Sequence, residues 1–166
     1  MAESLIVKTK RDGTLTFSDL GGVNSYTVAF EAGDLSLEIP GPTVNNFLDR
    51  GRFPSGNPSI RLGDDQPMTG SFTAYLRDVS DATDVTLMEI FTQSGAVSTG
   101  WTSTMGANGE VFTVSLQWEI AGLVHGDSAN HTVQCDFCYV TGSVSEGDPD
   151  TISISFQSFD LYPTVT

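Results

Sequence analysis

The feature that most constrains this chain is a period-two alternation of apolar and polar residues that returns in segment after segment. Successive side chains on an extended strand point to opposite faces of a sheet, so each such segment has one core face and one wet face. In residues 111–120, Phe112, Val114, Leu116, Trp118 and Ile120 make one face, and Thr113, Ser115, Gln117 and Glu119 make the other. Residues 151–159 repeat the pattern, with Ile152, Ile154 and Phe156 set against Ser153, Ser155 and Gln157. Segments 26–30 and 35–39 flank Gly33 and read as a hairpin. Asp12-Gly13 gives a tight-turn signal ahead of Leu15 and Phe17. With further strands over 69–78 and 131–141, about seven strands are expected in a mainly β sandwich or barrel.

One segment breaks the alternation. Over residues 84–93, Val85, Leu87, Met88, Ile90 and Phe91 fall near helical spacing. Ser80, Asp81 and Thr83 are candidate N-caps and Gly95 is a candidate stop, so one short helix is expected to flank the β layers. The 166 residues fit one domain, and 39% hydrophobic content is enough for a core without disulfide or metal. Residues 40–67 read as a long loop, carrying Pro40, Pro42, Pro54, Pro58 and Pro67. Phe47, Leu48 and Phe53 within it call for something to cover them.

Charge narrows the function. Seven basic residues face twenty-one acidic ones, for a net charge of −14. That excludes a conventional nucleic-acid binder, which needs Lys and Arg clustered on one face. All seven bases lie before residue 78, so residues 1–77 carry −2 and residues 78–166 carry −12. Such asymmetry suits copies that pack head to tail. No run of 18 apolar residues is present, and residues 1–11 hold no apolar stretch of the signal-peptide kind, so synthesis in the cytoplasm is expected.

The residues that carry chemistry are sparse. His125, His131, Cys135 and Cys138 bring a zinc site into consideration. Strand positions i and i+3 point to opposite faces, however, so the two cysteines cannot share a metal unless a bulge or turn intervenes. They are expected to be free, core-like thiols. The acidic turns at 63–65 and 146–150 lack the spacing of a calcium loop and read as solvated turns. With no phosphate-binding glycine loop, no Gly-x-Ser-x-Gly and no His-Glu-x-x-His, neither enzymatic activity nor a cofactor is expected.

The runs Asp12-Gly13-Thr14-Leu15-Thr16-Phe17-Ser18-Asp19 and Ser25-Tyr26-Thr27-Val28-Ala29-Phe30-Glu31-Ala32-Gly33-Asp34-Leu35-Ser36-Leu37-Glu38-Ile39-Pro40, followed by Leu48-Asp49-Arg50-Gly51, resemble the tail tube (major tail) proteins of tailed bacteriophages. The resemblance covers residues 12 to about 78; beyond them only the order of elements carries it. It implies a β-sandwich or barrel protomer with one flanking helix, closing into a hexameric ring whose inner strands form one continuous barrel. Stacked rings would make a virion tail tube that encloses the tape-measure protein and conducts double-stranded DNA. Tail terminator and distal tail or baseplate proteins would bind its ends. Under this resemblance, Glu31, Glu38, Glu119 and Asp136 are the candidate lumen acids, lining the bore without trapping the duplex. Phe47, Leu48, Arg50, Arg52, Phe53 and Arg61 are the candidates for ring stacking. The alternative is a carbohydrate-binding or adhesion β-sandwich displaying Tyr75, Trp101 and Tyr139, and a soluble enzyme ranks third.

Overall fold

The computed structural model describes residues 13–29, 34–48, 50, 52, 59–81, 83–106, 108–121 and 129–166. Within them the chain is mainly β, as its alternation predicts. The strands are β1 (Gly13–Ser18), β2 (Ser25–Val28), β3 (Ser36–Glu38), β4 (Val44–Phe47), β5 (Ser59–Leu62), β6 (Met68–Tyr75), β7 (Val114–Ile120), β8 (His131–Ser145), β9 (Thr151–Ser158) and β10 (Thr164–Val165). Helices α1 (Leu87–Thr92) and α2 (Gly95–Gly100) lie between β6 and β7. Eight strands form one antiparallel sheet in the order β2-β1-β7-β8-β9-β6-β3, with β10 beside β8.

The fifteen-residue β8 organises this sheet. Its first half pairs with β7 and β10, and its second half pairs with β9. The sheet therefore divides into a β2-β1-β7 layer and a β9-β6-β3 layer that share β8. The layers face each other through the core: Phe17 of β1 meets Phe72 of β6 with ring centroids 6.1 Å apart. Leu15, Val114, Leu116, Met68, Ile152, Ile154 and Phe156 fill the rest, each from the apolar phase of its strand. Fully burying one such side chain is worth about 1.5–3 kcal/mol. One corner is closed by backbone: the Tyr75 N–H donates to the Ala29 carbonyl at 2.8 Å, linking the end of β6 to the residue after β2.

Four local expectations change. The segments around Gly33 do not make a hairpin: β2 pairs with β1 and β3 pairs with β6, at opposite ends of the sheet order. The actual hairpin is β1–β2. Its turn is built by Asp19, whose carboxylate accepts from the N–H groups of Val23 (2.8 Å), Asn24 (3.1 Å) and Thr102 (3.2 Å). The Gly33 turn itself, with Phe30, and the Asp12 half of the Asp12-Gly13 signal lie outside the described residues.

The helix is shorter than 84–93, because its N-cap is Thr86 rather than Ser80, Asp81 or Thr83. Thr86 and Glu89 form a reciprocal capping box, the arrangement that best satisfies the first orphan N–H groups. Gln93 takes the left-handed C-cap position (φ 53°), and Gly95 opens the second helix, α2.

Residues 40–67 are not all loop, since they contain the two-stranded β4–β5 hairpin. Finally, Cys135 and Cys138 face the same side. β8 carries a bulge in which Cys135 pairs with Leu116 and Cys138 with Val114, so Asp136 and Phe137 together span one partner residue. Phe137 turns left-handed there (φ 51°), and both thiols enter the core.

Candidate functional site

The wet faces of the two layers differ in kind. On the β8-β9-β6-β3 layer the pairing register builds rows of hydroxyls. One row runs Ser36, Ser71, Ser155, Thr141. The next runs Glu38, Thr69, Gln157, Tyr139, and a third runs Thr73, Ser153, Ser143. A shallow hollow of about 390 Å³ lies over the first two rows. Glu38 is the one ionisable acid in these rows and stands exposed at the sheet edge. Gly70 on the opposite face leaves room for the Phe156 ring and the Ser36 carbonyl, both of which a Cβ there would meet.

The β2-β1-β7-β8 face mixes hydroxyls, amides and acids. Glu119 is half-buried and accepts from Asn130 Nδ2 at 3.4 Å. Asp136, on the bulge, accepts from the Ser115 hydroxyl and from Gln134 Nε2 (2.8 Å), and its own N–H donates to Asp160 Oδ2 at 3.2 Å. A hollow of about 530 Å³ here is lined by Thr16, Ser25, Ser115, Gln117, Gln134 and Asp136, among others, with Phe137 at its edge.

Because Phe17 and Phe72 meet through the core, the wet faces of β1 and β6 look in opposite directions. The structure thus separates the candidate lumen acids, with Glu38 on one outer face and Glu119 and Asp136 on the other. Glu31 lies outside the described residues.

Of the ring-stacking candidates, the structure brings Phe47 and Arg61 together on the β4–β5 hairpin. β4 and β5 pair only with each other among the described residues, and Phe47, Leu48, Arg50, Arg52 and Arg61 are all exposed. Phe53 lies outside the described residues. The Arg61 guanidinium sits 5.9 Å from the Phe47 ring centroid, a cation–π contact on one face of the hairpin. The other face pairs Val44 with Leu62, which is 76% exposed, and Asn46 with Ile60. The sequence shows only a short apolar run around Ile60 here and does not mark Val44 and Leu62 as its partners in a hairpin. The alternation of Ile60-Arg61-Leu62 opposite Val44 was the available signal, obscured by the surrounding prolines.

Among the described residues no group of three or more His, Cys, Asp and Glu side chains is placed to hold a metal ion; His125 lies outside them. Burial pushes the Cys135 thiol up to about 11, helped by the nearby charges of Asp160 and Asp136. Burial also pushes the Cys138 thiol up, further still, with Cys135 adding to it. These thiols are poor nucleophiles. Tyr75 and Tyr139 share the hydroxyl face but sit at opposite ends of it, while half-buried Trp101 packs against the core after α2. No described helix is long and apolar enough to cross a membrane. Neither a scan against protein-family models nor a search of curated proteins finds a match for this chain.

Proposed function

We propose that this chain is a structural subunit of a phage-type tail tube, in which copies join side by side into rings and the rings stack around a bore. What carries the proposal is the β8-β9-β6-β3 layer. Among the described residues β3 pairs only with β6, and past Cys138 β8 has a strand partner on one side only, so both edges of the layer offer backbone groups for pairing. A ring of copies joined edge to edge removes every open edge. Four strands from each of six copies give about 24 strands, which at ~4.8 Å spacing enclose a backbone circle roughly 37 Å across before strand tilt widens it. Half that number would enclose a backbone circle of roughly 18 Å, too narrow for a duplex once side chains are added.

The hydroxyl rows are the proposed lining. Ser, Thr and Gln with a single Glu per copy offer a duplex no cations, and a surface that cannot release counterions does not hold DNA. This assigns Glu38 to the lumen and places Glu119 and Asp136 away from it. The tape-measure protein and DNA are the proposed cargo, the tail ends the sites of terminator and baseplate partners, and the virion the final location.

Electron microscopy of purified protein over a concentration series, with mass photometry, tests the proposal. Rings or hollow tubes are expected; a monomer at every concentration overturns it. A carbohydrate-binding module is the second reading. It draws on the 530 Å³ hollow, where Phe137 stands beside Gln117, Gln134 and Asp136 as an aromatic ring does beside planar polar groups in a sugar site. Glycan-array binding without assembly would favour it.

A further inference from the structure

We infer that successive copies dock head to tail, with the arginine-bearing β4–β5 hairpin of one copy seated on the acidic β8–β9 turn of the next. This rests on the stacked-ring proposal and names the surface that receives the hairpin. The hairpin leaves the hydroxyl layer after Glu38 and returns to it at Met68, so it springs from the end marked by the Met68–Ser158 pair. The turn at residues 146–150 closes the other end, where Tyr75 and Ser145 both pair with Thr151. The length of β6 between these ends is about 23 Å at ~3.3 Å per residue.

The two ends are complementary. The Leu76 N–H donates to the Asp150 carbonyl at 3.0 Å, which holds the segment after β6 against the turn, so that exposed Asp78 follows at the same end of the layer as exposed Glu146, Asp148 and Asp150. Arg77 is the one described basic residue there, whereas the hairpin presents Arg50, Arg52 and Arg61. Unlike ends attract and like ends repel, which sets polarity along the stack.

The apolar surface matches as well. An isolated hairpin is marginal in water, and this one leaves apolar side chains uncovered on both faces. The acidic end shows Val79 (63% exposed) and Val144 to receive them. With donor and acceptor at opposite ends of one copy, the contact is heterologous and repeats along an axis instead of closing on itself.

A charge-swap experiment on the full chain tests this. One variant carries Arg52→Glu and Arg61→Glu, a second carries Asp78→Lys and Glu146→Lys, and circular dichroism checks that both fold. Each alone is expected to associate at least about tenfold more weakly than the parent protein in sedimentation. Mixed one to one, they should regain association, since the reversed turn of the second accepts the reversed hairpin of the first. Unchanged association of either variant, or no recovery on mixing, overturns the head-to-tail docking. Closed rings and tubes formed equally by both variants would overturn it while leaving the tube proposal standing. Charge-dependent association that yields open filaments without a bore would support the docking and remove the tube.

Discussion

Phe17 and Phe72 come from strands that are not neighbours in the sheet, yet their rings meet at 6.1 Å with planes inclined by 38°. This contact pins the two layers into one core and makes their wet faces point apart. Both rings are almost fully buried. Phe72→Ala removes the ring and leaves a cavity between the layers, so a loss of about 3–5 kcal/mol is expected. Urea unfolding followed by tryptophan fluorescence measures it; a loss under about 1 kcal/mol would mean the layers are held elsewhere.

The two buried thiols give a pH prediction. An unfolded cysteine ionises near 9, and burial raises Cys135 to about 11 and Cys138 beyond it. The folded state therefore favours the neutral thiols. Their contribution is complete below pH 9 and declines as pH rises from about 9 through 11. At pH 8 about one Cys135 in a thousand is thiolate, so a disulfide reagent should label neither residue until urea unfolds the chain. Rapid labelling of the native protein would contradict the burial.

Asp19 behaves in the opposite sense. It is 2% exposed; burial alone would raise its pKa, but the N–H groups of Asn24, Thr102 and Val23 outweigh that and hold it below its usual value. Its contribution is present above about pH 4 and lost as pH falls through the lowered folded value. Asp19→Ala should cost about 1–3 kcal/mol by leaving those donors unpaired, and should flatten the acid limb of a stability profile. An unchanged acid limb would remove Asp19 from this role.

Legibility followed from whether a signal was local. The faces of β9 were legible because its burial follows the two-residue period of its sequence; β7 departs from that period, since Ser115 is as buried as Val114 and Leu116 on either side of it. Thr86-x-x-Glu89 was legible in principle, being a local capping pattern, but Asp81 and Thr83 competed as caps. The pairing of β2 and β3 was not, because Gly33 is a turn signal while β2 turns back on β1 through the Asp19 turn and β3 finds its partner, β6, only beyond the β4–β5 hairpin. The β8 bulge depends on register with β7, which no spacing within β8 reveals. Of the candidate surface, the arginines and Phe47 were legible as residues awaiting cover. The separation of Glu38 from Glu119 and Asp136 needed the layers themselves.

Phe137, an aromatic residue 41% exposed, lies in the left-handed region, a conformation that glycine takes without strain. Phe137→Gly should therefore raise stability by roughly 1 kcal/mol, or about 2–4 °C in Tm for a chain of this size. Destabilisation would show that the ring's packing over the neighbouring hollow outweighs the backbone strain.

The hairpin supplies the sharpest division between folding and assembly. Its strands β4 and β5 pair only with each other among the described residues, and their side chains contribute nothing to the core cluster. Replacing residues 44–62 by a short Gly-Ser link should leave the urea midpoint of the body unchanged, since none of the described residues among them joins the core cluster and a flexible closure of this length costs little. Tubes, however, should vanish under the electron microscope, because the excised segment carries Phe47, Leu48, Arg50, Arg52 and Arg61 together. Rings without tubes are the expected product, as the edges of β3 and β8 proposed to join copies sideways are left intact. Full-length tubes from the excised chain would show that stacking uses other surfaces.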